Sequence, residues 1–92
     1  MIAHIHGILK DKNPTHIVVE AGGVGFYIQI PLSSYNAFGD TGNEVQVLCY
    51  LHAREDSLQL FGFATEQERE LFRLLIHPRG IQGQKDLQLG IA

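Results

Sequence analysis

The chain has 92 residues, of which 45% are hydrophobic and 18% are charged. These proportions exclude a disordered or fibrous chain, and the length suits a small globular core. Seven Lys and Arg residues against ten Asp and Glu residues give a net charge of −3, which argues against a general electrostatic coat for nucleic acid. No apolar run reaches the roughly 18 residues of a membrane span, and no signal peptide is evident. We therefore expect a soluble cytoplasmic chain without a membrane partner.

Three strands are predicted in the first third of the chain. Residues 2–9 form the first strand, and the polar residues 10–14 make a turn in which proline fixes φ. The β-branched residues 15–21 form the second strand, and Gly22-Gly23 makes a tight hairpin into a third strand over 24–30. Together they predict a three-stranded meander.

A short helical turn is predicted next, over residues 32–38, before the glycine-rich loop 39–43. Ser33 and Ser34 are candidate caps of this turn, because serine hydroxyls accept hydrogen bonds from helical N–H groups.

Alternation between apolar and polar residues is clearest over Glu44–Ala53, which predicts a fourth strand. A charged tip at Arg54, Glu55 and Asp56 leads into a fifth strand over 57–63. The apolar face of the fourth strand consists of Val45, Val47, Cys49 and Leu51, opposite Gln46, Tyr50 and His52. Five short antiparallel strands with glycines at bends predict a mainly β fold, a five-stranded OB-fold-like Greek-key barrel.

The hydrophobic period changes at Thr65, where a helix is predicted. Thr65 and Glu68 have the spacing of a capping box. Leu71 with Leu75, and Phe72 with Ile76, then repeat every four residues and predict one amphipathic helix to Ile76. Pro78 and Gly80 end it, and residues 77–92 are expected to form an irregular tail.

No catalytic or metal-binding constellation is evident among the polar residues. His4, His6, His16 and His52 fall on predicted strands without a recognised ligand spacing. Ser33 and Ser34 lack the context of a nucleophile, and Cys49 lies on an apolar strand face where a thiol is normally inert. We expect no metal, no cofactor and no enzymatic activity of the chain itself.

The charged tip and the tail each allow two interpretations from the residues alone. Glu55 and Asp56 are adjacent on a hairpin tip, which favours a solvated tip that protects strand edges over an acid-base pair. Gly80, Gly83 and Lys85 follow a helix, as in a helix-hairpin-helix that offers backbone amides to a DNA phosphate or as in an ordinary helix stop.

Four stretches together carry a family resemblance that covers residues 1–76. They are MIAHIHG at 1–7, GGVGFY at 22–27, RED at 54–56 followed by LFGF at 60–63, and ERELFRLLI at 68–76. In this combination the chain resembles the RuvA family of bacterial Holliday junction branch-migration proteins.

The resemblance implies an OB-fold domain over residues 1–63 and, over 64–92, the first helix and turn of a helix-hairpin-helix domain. It implies a non-catalytic subunit that binds four-way junction DNA in recombination and repair, assembles as a homotetramer, and serves a separate RuvB-type ring ATPase motor. Glu55 and Asp56 fall on the family's acidic pin at the junction centre. Arg54, Gly80, Gly83 and Lys85 become candidate phosphate contacts.

The tail departs from the family pattern. Gln82 stands where the family's turn has its second glycine, or is an insertion before Gly83, and Gln84 replaces a proline. Glutamine at a position that needs close backbone approach is expected to impair phosphate binding by the turn. The resemblance also implies a second helix-hairpin-helix and a motor-binding domain beyond Ala92, so we expect a truncated form that binds junctions weakly. The alternative is an OB-fold module for protein interaction or oligomerisation, without DNA binding.

Overall fold

A computed structural model of the chain describes residues 2–76. It shows five strands, two helices and one 3-10 turn. The strands are β1 (His4–Lys12), β2 (His16–Ala21), β3 (Val24–Gln29), β4 (Glu44–Ala53) and β5 (Leu58–Phe63); the helices are α1 (Leu32–Tyr35), which continues into a 3-10 turn (Asn36–Phe38), and α2 (Glu66–Ile76). The predicted mainly β fold with one long helix is confirmed. The predicted irregular tail, 77–92, lies outside the described residues.

The five strands form a closed barrel in the order β1-β2-β3-β5-β4, which is consistent with an OB fold. The prediction of a wholly antiparallel sheet is wrong at one seam. β3 and β5 run parallel and pair at Gln29 and Phe61 alone. The closed barrel makes β3 and β5 neighbours, and the chain runs in the same direction along both strands. Alternating side chains fill the interior together with Phe38 of the 3-10 turn: Ile5, Leu9, Ile17, Val19, Ile28, Ile30, Val45, Val47 and Cys49.

β1 is longer than the sequence predicts, since it continues to Lys12 through most of the predicted turn. A bulge between Leu9 and Asp11 absorbs one extra residue and restores pairing with β2. The predicted Gly22-Gly23 hairpin is confirmed. The φ angles of these glycines are 60° and 82°, which a tight hairpin of this kind requires and which side chains disfavour.

The sequence predicts two pairs of apolar residues on α2, Leu71 with Leu75 and Phe72 with Ile76. Only the second pair is buried against the barrel. Phe72 and Ile76 are buried with Phe61 and Phe63 in a second cluster, with Tyr50 against it. Leu71, which was predicted to share the buried face, is 59% exposed. The division of the chain into domains at residues 63 and 64 stays a prediction.

Hydrogen bonds between residues far apart in the sequence tie α2 to α1, the short helix between β3 and β4. The Ser34 hydroxyl is fully buried and donates to a Glu68 carboxylate oxygen at 3.0 Å, while it accepts from the Ala64 amide at 3.1 Å. The Ser33 hydroxyl donates to the other Glu68 oxygen. The prediction that the two serines cap the helical turn is wrong: the residue before α1 is Pro31, and no side chain caps it. The hydroxyls serve Glu68 instead.

The capping box at the start of α2 is present, because the Glu68 amide donates to the Thr65 hydroxyl at 3.2 Å. Burial alone would raise the pKa of Glu68. Hydrogen bonds from Ser33, Ser34 and Thr65 outweigh that effect and hold the pKa below its usual value. The carboxylate is therefore favoured in its charged form by the fold.

Replacement of Glu68 by Gln is expected to lower the free energy of unfolding by about 1 kcal/mol at pH 7, since it removes charge-assisted hydrogen bonds at a partly exposed site. A lowered folded-state pKa stabilises the fold above the unfolded-state value near 4.5, and this contribution is lost as pH falls through the folded-state value. The difference between the two proteins should therefore shrink below about pH 4.5. Urea denaturation at several pH values measures it, with the exposed Glu70→Gln as control. A constant difference across the pH range would contradict this role.

Candidate nucleic-acid interface

The charged tip stands at the end of a two-stranded arm, residues 50–60, that leaves the barrel. β4 pairs with β1 only as far as Leu48, and the Cys49 amide makes the last backbone bond on that side, to Ala3 at 2.9 Å. β5 in turn pairs with β3 only at Phe61. Beyond these points β4 and β5 pair only with each other, out to Ala53 and Leu58. The arm includes residues 50–53 of β4, which follow the last contact with β1. At the usual rise per strand residue, they place the tip about 13 Å beyond that contact.

The three tip residues that the sequence singled out lie together and are exposed. The turn of residues 54–57 is closed by a hydrogen bond from the Arg54 amide to the Ser57 carbonyl at 2.8 Å. Arg54, Glu55 and Asp56 are all exposed. Among the ion pairs formed within residues 2–76, none involves these side chains. The tip therefore presents two carboxylates and one guanidinium to solvent.

Arg69 fixes the base of the arm, a role that the sequence analysis missed. Its guanidinium donates to the Ala3 carbonyl at 2.7 Å and to the Cys49 carbonyl at 3.5 Å. Two further donations to the Glu66 carboxylate, at 2.8 and 2.7 Å, hold the side chain in place. Because its barrel partners are backbone carbonyls, no residue pattern in the sequence signals the contact.

Cys49 is buried where the arm begins. Burial raises the pKa of its thiol to about 11, although the nearby Arg69 charge and a backbone hydrogen bond from Ile5 oppose the shift. A thiol that stays protonated at neutral pH is a poor nucleophile. Cys49 thus acts as an apolar core residue at this point.

The other candidate sites of the sequence analysis fall partly outside residues 2–76. Gly80, Gly83 and Lys85, the predicted phosphate contacts of the tail, lie outside the described residues. Within 2–76, no group of three or more His, Cys, Asp or Glu side chains is arranged to hold a metal ion. In the same range, no helix is both long and apolar enough to cross a membrane.

The fold and the arm define a class of protein: an OB-fold-like barrel that presents an acidic hairpin. A family model described as "RuvA N terminal domain" matches residues 1–62, a span that includes the arm and its tip. The chain belongs to the RuvA N-terminal domain family.

Individual relatives agree with the family match. The chain is 44% identical over 81 residues to the "Holliday junction branch migration complex subunit RuvA" of Solibacter usitatus, which covers 88% of this chain and 41% of the relative. Proteins of the same name from Halorhodospira halophila and a Roseiflexus species are each 45% identical over 89 residues, covering 97% of this chain and 44% and 45% of those proteins. The chain thus spans less than half the length of these relatives.

Proposed function

We propose that this chain acts as a non-catalytic, DNA-binding subunit of a Holliday junction branch-migration complex and recognises four-way junctions in recombination and repair. The observation that carries the proposal is the projecting acidic arm of residues 50–60, which lies within the family match. The relatives bear the name of that complex. In the proposed complex, a separate ring ATPase of the RuvB type supplies the motor.

In this function, Glu55 and Asp56 form an acidic pin at the junction centre. A carboxylate about 7 Å from a phosphate is repelled by about 0.6 kcal/mol at the dielectric constant of water, and salt weakens this further. One such repulsion has little effect. Two carboxylates from each of four copies add up to a few kcal/mol at one point, comparable with the cost of unstacking a base step. The pin therefore disfavours strands that settle at the centre.

Arg54 gives the tip an attractive element beside the repulsive one. Its guanidinium is exposed one residue before the pin, and an arginine fork suits a phosphate. A strand that leaves the junction centre can then be held by Arg54, while Glu55 and Asp56 keep it from returning to the centre. The tip sorts strands in this arrangement.

The pin requires several copies around one junction, and a homotetramer provides one arm for each duplex. The phosphate grip of such an assembly includes Gly80, Gly83 and Lys85 in the tail. Since Gln82 and Gln84 alter that turn, the affinity of this chain for junctions is expected to be low. The competing function is an OB-fold interaction module without a DNA role, which the net charge of −3 also permits.

A gel-shift titration of the 92-residue chain against a four-way junction and a linear duplex of the same arm sequence separates the two functions. The proposal predicts junction binding at least about tenfold tighter than duplex binding, a difference of about 1.4 kcal/mol. Repetition over a range of salt concentrations measures the phosphate contribution. Equal or absent binding to both DNAs, together with self-association in light scattering, would favour the interaction module.

A further inference from the structure

A second surface of the barrel carries an exposed aromatic stack, on the outer face of β2 and β3. Tyr27 is 60% exposed, and its ring stacks on His16 with centroids 4.3 Å apart and planes 17° apart. The register places Tyr27 opposite Val18, and His16 opposite Gln29. The two rings are therefore diagonal neighbours across the strands, on the face opposite to the core residues Ile17, Val19 and Ile28.

Both nitrogens of the His16 ring are engaged by the loop before β2. The Asn13 amide nitrogen lies 3.1 Å from Nε2, and the Thr15 hydroxyl lies 3.3 Å from Nδ1. The same Asn13 nitrogen donates to an Asp11 carboxylate oxygen at 3.1 Å, which identifies it as the amide donor. Nε2 then accepts, and the Nδ1 proton faces the threonine hydroxyl. The histidine ring is held in one orientation, and Tyr27 rests on a fixed support.

The tyrosine ring has room for another planar group. On the side away from Gln29, the next outward position of β3 is Gly25, which has no side chain to cover the ring. Its partner across the strands, Glu20, forms an ion pair with Lys10 on β1 at 3.6 Å, on the side away from β3. A ligand that stacks here therefore meets an ordered aromatic surface and little side-chain competition, which lowers the ordering cost of binding.

We propose that the Tyr27–His16 stack binds an unpaired base of single-stranded DNA, at a site separate from the acidic tip. The outer face of strands 2 and 3 is the surface on which OB folds take oligonucleotides. Bases of any sequence stack on exposed aromatic rings, and one such contact changes affinity about 5- to 150-fold. The nearby Lys10 is paired with Glu20, so the contact depends on stacking more than on phosphate charge and should respond weakly to salt.

Fluorescence anisotropy with a labelled oligothymidylate of about 12 nucleotides tests the site on the whole 92-residue chain. Tyr27→Phe keeps the ring and should bind within about twofold of the parent chain, whereas Tyr27→Ala should bind about 5- to 150-fold more weakly. Gly25→Leu keeps Tyr27 and covers the open side of its ring, so it should weaken binding as well. A Cβ at Gly25 meets only Val18, at 3.7 Å, so the strand has room for the start of the side chain, and thermal unfolding of each variant checks that the fold is kept.

Three results would overturn the proposal: no binding of the oligonucleotide by the parent chain, equal binding by Tyr27→Ala, or undiminished binding by Gly25→Leu. A proline-rich peptide that binds more tightly than the oligonucleotide, and loses that binding in Tyr27→Ala, would assign the stack to a protein partner instead. The readout is independent of the junction titration, because neither Glu55 nor Asp56 is altered.

Discussion

Replacement of Phe72 by Ala is expected to lower the free energy of unfolding by about 3–5 kcal/mol, the usual cost of removing a buried aromatic side chain. Phe72 is 2% exposed, and its ring lies 4.7 Å from that of Phe61, 5.1 Å from Phe63 and 5.2 Å from Tyr50. Every one of these tilted aromatic contacts joins α2 to β4 or β5 at the base of the arm. The loss is a large fraction of the 5–15 kcal/mol by which domains are typically stable.

Urea denaturation followed by circular dichroism measures this effect, and Leu71→Ala is the matched control. Leu71 precedes Phe72 on the same helix and is 59% exposed, so its truncation should cost no more than about 0.5 kcal/mol. Equal midpoints for the two variants would show that α2 contributes little to the barrel. In that case, the packing of α2 could not be what holds the arm in its orientation.

The second large effect is expected at Gly7, in the stretch where β1 passes from β4 to β2. A Cβ at this position would lie 2.2 Å from the carbonyl oxygen of Glu20 and 3.1 Å from a methyl group of Val19. The carbonyl belongs to the backbone of β2 and cannot move without disturbing the strand. Gly7→Ala should therefore cost about 3 kcal/mol or more, at the upper end for an overpacked site.

Gly25→Ala is the control for this prediction, since it adds the same methyl group to another strand glycine with only Val18 within reach, at 3.7 Å. Its urea midpoint should stay close to that of the parent chain, or rise slightly because alanine restricts the unfolded chain. A Gly7→Ala protein as stable as Gly25→Ala would mean that β1 and β2 do not approach each other this closely.

Local patterns predict the elements whose residues interact with neighbours in the chain. The alternation at Val45, Val47 and Cys49 is borne out by their burial in the barrel, because a half-buried strand imposes a period of two. The two glycines at 22 and 23 fix their hairpin for an equally local reason. The position of Glu55 and Asp56 on a hairpin tip follows from the same kind of signal.

Contacts between distant residues account for what the sequence analysis missed. Ser33 and Ser34 have the residue type of helix caps, yet their hydroxyls bind Glu68, 35 and 34 positions away. Leu71 satisfies the helical period as well as Phe72 does, and only the placement of β4 and β5 decides which of the two is buried. The reach of the arm depends likewise on where β1 leaves β4, near Leu48, which no local pattern encodes.

We propose that Glu55 and Asp56 keep DNA strands apart at the centre of a four-way junction. The most direct test of this claim uses a junction with 2-aminopurine at the crossover, saturated with the parent chain or with the double variant Glu55→Gln/Asp56→Asn. An equally conservative pair on exposed carboxylates outside the arm, Asp40→Asn/Glu70→Gln, serves as control. We predict that the parent chain and the control raise the fluorescence of the unstacked base, whereas the pin variant binds as tightly or more tightly and raises it less. Equal fluorescence for all three proteins at equal occupancy would contradict the claim.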